Sequence, residues 1–383
     1  MSLRRAASVG DFRELARRRL PRILFEYIDG GSYAEVTLRR NVRDLEHLEL
    51  RQRVMRDMSR LDTTVQMLGQ RFALPLGLSP VGMAGMYSRR GEVQAARAAA
   101  RAGIPFCLST LGICSVEEVA HDGTAPWFQL YVLKDRGYMR DLVARVKAAG
   151  SPVLVLTVDL PVPGARYRDV RSGFRGLSGI HALWNRAKNG LSHPRWLWDV
   201  WLTGRPHGLG NVMGASSEGG KSDFLTWIAN NFDRSVTWKD LEWVRSEWDR
   251  PLLVKGVLDA EDAREARAAG VQGLVVSNHG GRQLDGVRSS ISALPSIVDA
   301  VGGDLEIYLD GGIRSGLDVL KALALGAKAC FVGRAWAYAL GAGGQAAVTK
   351  MLSTLRSELE VAMILTGCSS VSEAGRQLLE MPG

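Results

Sequence analysis

Gly273-Leu274-Val275-Val276-Ser277-Asn278-His279-Gly280-Gly281-Arg282-Gln283-Leu284-Asp285 is a short apolar run that empties into a glycine-hinged turn, with a histidine and an arginine three residues apart. An apolar run this short, closed by turn residues, has the length of a buried strand rather than a helix. The turn suits chemistry. A histidine moves a proton near neutral pH, an arginine grips a carboxylate through two parallel hydrogen bonds, and glycines let the backbone approach a flat ligand. A lone histidine in a turn is more often structural, so the other strand ends decide whether this one belongs to a site.

Outward from that turn the same unit recurs. Strand-like runs are Leu74 to Ser79, Ile104 to Ser109, Trp127 to Tyr131, Val153 to Val158, Leu252 to Lys255, Gly273 to Ser277, Glu306 to Asp310 and Ala329 to Gly333. Between them lie stretches rich in Ala, Leu, Arg and Glu that predict helices, such as Gly91 to Ala102, Gly137 to Ala149, Ala260 to Ala269 and Ser315 to Leu325. An eightfold βα alternation predicts an α/β fold, the closed TIM (β/α)8 barrel, with a doubly wound open sheet as the runner-up.

Two segments break the alternation. Residues 1–60 read as helical and basic, with Leu20-Pro21 and Asp29-Gly30-Gly31 as breakers, which predicts an N-terminal helical cap on the barrel of residues 74–366. The second is the stretch 160–236 after the fourth strand, a length typical of a functional lid or a disordered insert. At 383 residues two domains are possible, but α/β barrels of this size are routinely one, and 1–383 is read as a single domain.

Composition is ordinary for a globular protein, with 46% apolar and 23% charged residues. No stretch approaches the roughly 18 to 20 apolar residues of a membrane span, and the N-terminus has no apolar signal core. The protein is expected neither to span a bilayer nor to be secreted by that route. Cys107, Cys114, Cys330 and Cys368 form no CxxC pair and have no histidines at metal-ligand spacing, so they read as reduced, mostly buried thiols of a cytosol-facing protein, and no metal is expected. The net charge of +9 fits nucleic acid, an anionic membrane or an anionic substrate, or simply a solvated arginine-rich surface. No nucleic-acid module is recognisable, so no nucleic-acid partner is expected.

In a TIM barrel the reactive groups project from the C-terminal ends of the strands. Here those ends carry Ser109-Thr110, Gln129-Leu130-Tyr131, Thr157-Val158-Asp159 with Arg166 just beyond, Lys255-Gly256, Ser277-Asn278-His279, Asp310-Gly311-Gly312-Ile313-Arg314 and Gly333-Arg334. Any one could be structural, but their joint placement argues for one site. Three tasks divide them. The turn Asp310, Gly311, Gly312 and Arg314, with Gly333 and Arg334, suits a phosphate-bearing cofactor; plain βα turns are the alternative. Ser109, Gln129, Thr157 and Ser277 offer hydrogen bonds to a flat ring, and Lys255, behind the apolar Leu252-Leu253-Val254, can set a positive charge against it. Arg166 and Arg282 can neutralise a small carboxylate beside Tyr131 and Tyr27, although Tyr27 also reads as a core aromatic of an amphipathic helix. His279 can act as a base that Asp159 orients, if that carboxylate is more than a strand-end cap.

The words LFEYIDGG (24–31), LRRNVRDLE (38–46), MYSRRGEVQAA (86–96), WFQLYVLKDRG (127–137), PGARYRD (163–169), GRPHGLGN (204–211), VTWKDLEW (236–243) and SNHGGRQLDGV (277–287) resemble the FMN-dependent 2-hydroxy acid dehydrogenases and oxidases from about residue 8 to residue 368. The likeness is greatest to the family's quinone-linked bacterial members that act on L-lactate. It implies FMN as cofactor, His279 as base with Asp159 its partner, substrate contacts from Tyr27, Tyr131, Arg166 and Arg282, and flavin contacts from Ser109, Gln129, Thr157 and Lys255, with the phosphate held between Asp310 and Arg334. His279 would take either the α-proton or the hydroxyl proton with hydride passing to the flavin. It further implies a homo-oligomer, a tetramer or larger. Gly82 stands where many relatives carry alanine beside the flavin.

Within Pro161 to Gly210, Arg166, Arg168, Arg171, Arg175, Arg186, Lys188, Arg195 and Arg205 face only Asp169 and Asp199 as acids, and Trp184, Trp196, Trp198 and Trp201 are interleaved. Such a stretch suits an anionic membrane surface and predicts peripheral contact with the cytoplasmic side of the bacterial inner membrane. A lid whose tryptophans pack on the barrel or on a neighbouring subunit is the competing reading. Mandelate, glycolate or another hydroxy acid as substrate, oxygen as acceptor, and a non-redox basic barrel protein are the rival functions.

Overall fold

Backbone geometry separates the closed barrel from the open sheet. The structure, a computed structural model, describes residues 2–121, 123–174, 184, 187–212 and 231–380. A hairpin of β1 (Val65–Met67) and β2 (Gln70–Phe72) precedes eight parallel strands: β3 (Leu76–Leu78), β4 (Cys107–Ser109), β5 (Trp127–Leu130), β6 (Leu154–Thr157), β7 (Leu252–Val257), β8 (Gly273–Ser277), β9 (Glu306–Asp310) and β10 (Ala329–Val332). Every expected run holds one of them, with β7 running two residues further. Each strand from β4 to β10 pairs with its neighbour in sequence, and β10 returns to β3. The seam is joined by a Leu78–Phe106 bridge and by Leu78 N–H donating to the Pro105 carbonyl at 2.9 Å. That is the barrel, and the open sheet is excluded.

Strand alternation sorts the barrel interior into layers. The lower layer is apolar: Cys107, Trp127, Val155, Leu253, Val275, Tyr308 and Phe331 pack as one cluster. Trp127 meets the Tyr308 ring edge-on with centroids 6.4 Å apart, and Gly77 must lack a side chain because a Cβ would lie 2.6 Å from Phe331. Met67 of the hairpin is buried in the same cluster and Phe72 meets Trp127 edge-on, so β1 and β2 plug the N-terminal end. Each large apolar side chain buried there contributes about 1.5–3 kcal/mol. Two residues further along the strands the same inward positions are Ser79, Ser109, Gln129, Thr157, Lys255, Ser277 and Asp310, all buried. The barrel thus changes from apolar to polar at its C-terminal mouth.

The N-terminal segment is helical over Val9–Arg19, Arg22–Asp29 and Val36–Glu46. Ser8 and Asp11 form a capping box at the start of the first, and the second ends at Gly30 as the Asp29-Gly30-Gly31 breaker predicts. The third has no cap of its own. Asp285, from the turn after β8, accepts Val36 N–H at 3.1 Å and Thr37 N–H at 2.7 Å. The cap is therefore tied to the mouth of the barrel.

In the described part of the 160–236 stretch, Trp196 is buried and its indole N–H donates to the Met86 carbonyl at 2.8 Å. Trp184, Trp198, Trp201, Leu191 and Leu202 are exposed. The stretch thus has a docked side and a bare aromatic side. Arg175 and Arg186 lie outside the described residues. All four cysteines are buried free thiols. Among the described residues no helix is long and apolar enough to cross a membrane.

Candidate active site

His279 sits just past β8 with φ +56°, a left-handed conformation that costs a non-glycine residue about 1–3 kcal/mol. Local bonds hold it there. Its N–H donates to Ser277 Oγ at 3.0 Å, and Gly280 and Gly281 continue the turn with positive φ. Its ring nitrogen Nδ1 lies 2.9 Å from Oδ1 of Asp159, just past β6. Asp159 accepts the Nδ1 proton and so leaves Nε2 as the basic nitrogen. Gly256 makes room for Asp159: a Cβ there would come within 2.6 Å of it. Burial pushes the His279 pKa below its usual value, against the opposing pull of Asp159. Burial also resists the charge on Asp159, but His279 and Lys255 outweigh it and hold the carboxyl below the ordinary range. The result is a neutral imidazole beside a fixed carboxylate, the state in which a base is ready.

Arg166 and Arg282 converge on Tyr27. Their guanidinium carbons stand 5.8 and 4.7 Å from its ring centroid, and Arg166 Nε donates to the Arg282 carbonyl at 3.3 Å. The pairing of Arg166 with Asp169 is long, at 3.8 Å. Burial and the neighbouring Arg282 charge lower the Arg166 pKa. Two cations pressed together in a buried mouth favour a bound anion, and a small carboxylate supplies one. Tyr27 and Tyr131 are buried at the same mouth, so Tyr27 is both the core aromatic and the pocket residue that the sequence allowed.

Lys255 closes the floor. Its Nζ lies 2.8 Å from Asp310 Oδ2 and donates to Ser277 Oγ at 3.0 Å. Burial opposes its charge, but Asp310 and Asp159 raise its pKa and keep it an ammonium. The same Asp310 oxygen accepts from Ser79 and Ser277. The Ser277 hydroxyl and Oδ2 of Asp310 are thus engaged with protein partners, while Asp310 still borders the cavity. Arg334 is similar. Its guanidinium donates to the carbonyls of Ile28, Gly30 and Gly280, and burial brings its pKa down to about 9. What Arg334 offers an anion is its backbone N–H in the first turn of the Arg334–Thr366 helix, just after Gly333.

FMN can be tested against this mouth. Gln129 Nε2 and Thr157 Oγ1 are buried without a partner among the described residues, and an unpaired buried polar group costs about 1–3 kcal/mol. A flat ring with polar edges would satisfy both beside Ser109, whose Oγ already donates to Gln129 Oε1. Gly311 and Gly312 turn with φ +133° and +87°, and a Cβ on Gly312 would lie 2.2 Å from the Asn41 carbonyl. That turn and Arg314 border the cavity along with Gly333, and Val81, Gly82 and Leu111 line it too. The cavity, with the open solvent of its mouth included, measures about 1110 Å³. The residues fit FMN.

The sequence reading misses Ser79, Tyr87 and Asn41 as site residues, and gives Asn278, at its strand end, no role of its own. Ser79 ends the first strand-like run, and the strand-end rule applied there finds it. Tyr87, fully buried with its hydroxyl donating to the Gly82 carbonyl at 3.0 Å, lies off any strand end.

Comparison with known proteins agrees with this geometry. The FMN-dependent dehydrogenase family matches residues 16–381. The chain is 57% identical over 369 residues to an L-lactate dehydrogenase of Xanthomonas campestris pv. campestris (strain B100), covering 96% of this chain and 95% of that one. It is 55% identical over 371 residues to an L-lactate dehydrogenase of Ectopseudomonas mendocina (strain ymp), covering 96% and 97%. Among solved structures, a monotopic membrane protein, (S)-mandelate dehydrogenase, superposes with a TM-score of 0.91 at 34% identity over 98% of this chain and 99% of that one. Likeness along almost the whole length, on a barrel whose polar mouth suits a flavin and a small anion, makes this protein a member of the FMN-dependent dehydrogenase family.

Proposed function

We propose that the enzyme oxidises L-lactate to pyruvate. The observation that carries this reading is the half-buried His279–Asp159 pair opening beside the two guanidinium groups of Arg166 and Arg282. The substrate carboxylate lies against Arg166 and Arg282 and within reach of Tyr27 and Tyr131. His279 Nε2 takes one proton from the substrate, and Asp159 stabilises the imidazolium that forms. FMN, when bound, would take up the two electrons and the second hydrogen, which leaves pyruvate. Ser109, Gln129, Thr157 and Lys255 hold its ring, and the 311–314 turn with the backbone at Gly333 and Arg334 holds its phosphate. Lactate is preferred as substrate because relatives bearing that name are 55 and 57% identical. The second reading, mandelate or another 2-hydroxy acid such as glycolate, draws on the (S)-mandelate dehydrogenase likeness at 34% identity.

Electrons then pass to a membrane quinone rather than to oxygen, and the enzyme sits on the cytoplasmic side of the inner membrane. Support comes from the exposed Trp184, Trp198 and Leu191, with the exposed Lys188 and Arg195 in the same stretch, a composition suited to a headgroup layer. The structural relative is itself a monotopic membrane protein. A homo-oligomer, tetrameric or larger, completes the proposal and is read out by light scattering.

The visible spectrum of the purified protein without oxygen tests the core of this reading. Bleaching of the flavin bands by L-lactate alone, against D-lactate and mandelate, supports it. Bleaching by a different acid moves the substrate, and failure to hold added FMN sinks the enzyme assignment.

A further inference from the structure

The turn that carries His279 is held from outside the barrel. Asn278 and Asn41, the latter on the N-terminal helix Val36–Glu46, are both buried and exchange two hydrogen bonds side chain to side chain: Asn41 Nδ2 donates to Asn278 Oδ1 at 2.8 Å, and Asn278 Nδ2 donates to Asn41 Oδ1 at 2.7 Å. The Asn278 amide spans the turn internally as well. Its Oδ1 accepts Gly281 N–H at 3.0 Å, and its Nδ2 donates to the Arg288 carbonyl at 3.1 Å. Asn41 Oδ1 also accepts Ser290 N–H at 3.2 Å, and the Asn41 carbonyl stands against Gly312 so closely that no side chain fits there. One residue of the cap thus touches the base-bearing turn at Asn278, the helix that follows it at Ser290, and the glycine turn after β9. Around it, Ser32 N–H donates to the Gly281 carbonyl and Asp285 caps Val36 and Thr37.

We propose that Asn41 is a positioning residue for His279, acting through the reciprocal amide pair with Asn278 to keep the histidine in its left-handed conformation and its ring on Asp159. This rests on His279 being the base. The reasoning is geometric. A non-glycine residue at φ +56° returns to ordinary backbone unless its neighbours fix it, and Asn278 is the residue directly before it. The Asn278 amide has two donor hydrogens and one acceptor oxygen, and a pair of amides facing each other is the arrangement in which each satisfies the other while both keep a backbone bond. Removing Asn41 leaves Asn278 short of one donor and one acceptor in a buried place, so the amide turns to find others and the next residue moves with it. Displacement of a catalytic group by about 1 Å costs on the order of a hundredfold in rate.

The test uses the full-length, FMN-loaded enzyme with Asn41→Ala, Asn41→Asp, Asn278→Ala, the double alanine variant and, as a control on the same helix, the exposed Arg43→Ala. Stopped-flow reduction of the flavin by L-lactate gives a limiting rate and a substrate dissociation constant; hydrogen exchange by mass spectrometry reads residues 277–289 whether or not the enzyme turns over. The limiting rate is expected to fall about 10- to 100-fold in Asn41→Ala, while the dissociation constant stays within about threefold and exchange in 277–289 rises about tenfold. The double variant should be no slower than the worse single one, because the two residues act as a unit. Asn41→Asp still accepts from Asn278 Nδ2 and Ser290 N–H but sets its second oxygen against Asn278 Oδ1, so it should also be slow, and Asn278→Ala guards against an Asn41 variant that does not fold. Wild-type exchange in 277–289, a wild-type limiting rate, additive single effects, or an equal loss in Arg43→Ala each overturn the proposal. Wild-type enzyme that no 2-hydroxy acid reduces would instead refute the functional reading, and the exchange data would then still decide whether Asn41 holds the turn.

Discussion

Asp159 and His279, 120 residues apart in the chain, share a 2.9 Å hydrogen bond between Oδ1 and Nδ1, while Oδ2 of the same carboxylate has no partner among the described residues. The pair is asymmetric in its consequences. Burial and the Lys255 and Arg166 charges disfavour the imidazolium, and Asp159 alone among the main influences favours it. The carboxylate thus orients the ring and also keeps its basicity from falling further.

Replacing it tests both effects with opposite signs. Asp159→Asn removes the group that raises the His279 pKa, so the ring stays neutral to lower pH. The acid limb of kcat/KM, already expected below the ordinary histidine value of about 6.5, should move further toward acid. The plateau should drop about a hundredfold or more, because the ring loses its fixed tautomer and its stabilised imidazolium. A pH profile of kcat/KM checks both, and a limb displaced toward alkaline pH would separate Asp159 from His279.

Gly256 supports Asp159 from β7. It lies where the β7–β8 register shifts between Lys255 and Val257, with φ +109°. A Cβ would approach the Cβ and Cγ of Asp159 to 2.6 Å and its Oδ2 to 2.9 Å. Gly256→Ala is therefore expected to lower stability by about 1–3 kcal/mol and, by shifting Asp159, to reduce kcat about tenfold with little change in KM. Urea unfolding and steady-state rates on one preparation measure the two together.

The barrel was legible because parallel strands buried on both faces read as short apolar runs, and their C-terminal ends carried the same polar residues that the structure gathers at one mouth. The eight runs from Leu74 to Gly333 each hold a strand. What stayed hidden has a common physical character. Side-chain commitments such as Arg334 to the carbonyls of Ile28, Gly30 and Gly280, or Asp310 to Lys255 and two serines, depend on which group is nearest in space, and spacing along the chain does not encode that. The same holds for Asn41 and Asn278, separated by 237 residues. The 160–236 stretch gave a composition but not a direction: the structure buries Trp196 and exposes Trp198 two residues on.

Lys255 and Asp310 form a buried ion pair at 2.8 Å. Taking away one partner leaves the other charged in a place with little water, at a cost of about 3–5 kcal/mol. Lys255→Met should accordingly lower the urea midpoint strongly and weaken FMN retention on gel filtration. Lys255→Met combined with Asp310→Asn should recover most of the stability but not the FMN, since the orphaned carboxylate is gone while the ammonium proposed to face the ring is still missing. Stability that fails to recover in the double variant would mean that the packing of the lysine stem, not the charge, is what matters.

Trp196 and Trp198 make the last contrast. The first is 7% exposed and donates to the Met86 carbonyl at 2.8 Å, whereas the second is 68% exposed. If the bare side of this stretch meets a bilayer, a charge there opposes the aromatic and basic residues that draw it to the headgroups. Trp198→Glu should then cut sedimentation with vesicles containing anionic lipid about tenfold, while flavin reduction by L-lactate is unchanged, because the exposed Trp198 is not among the described residues that line the mouth. Trp196→Ala should behave differently: loss of the anchor and its packing should destabilise the protein by about 3–5 kcal/mol and raise exchange across 187–202. Trp198→Glu enzyme that sediments with vesicles as well as wild type would remove this face as the membrane contact and favour a neighbouring subunit as its partner, which light scattering on the same variant would reveal as a smaller assembly.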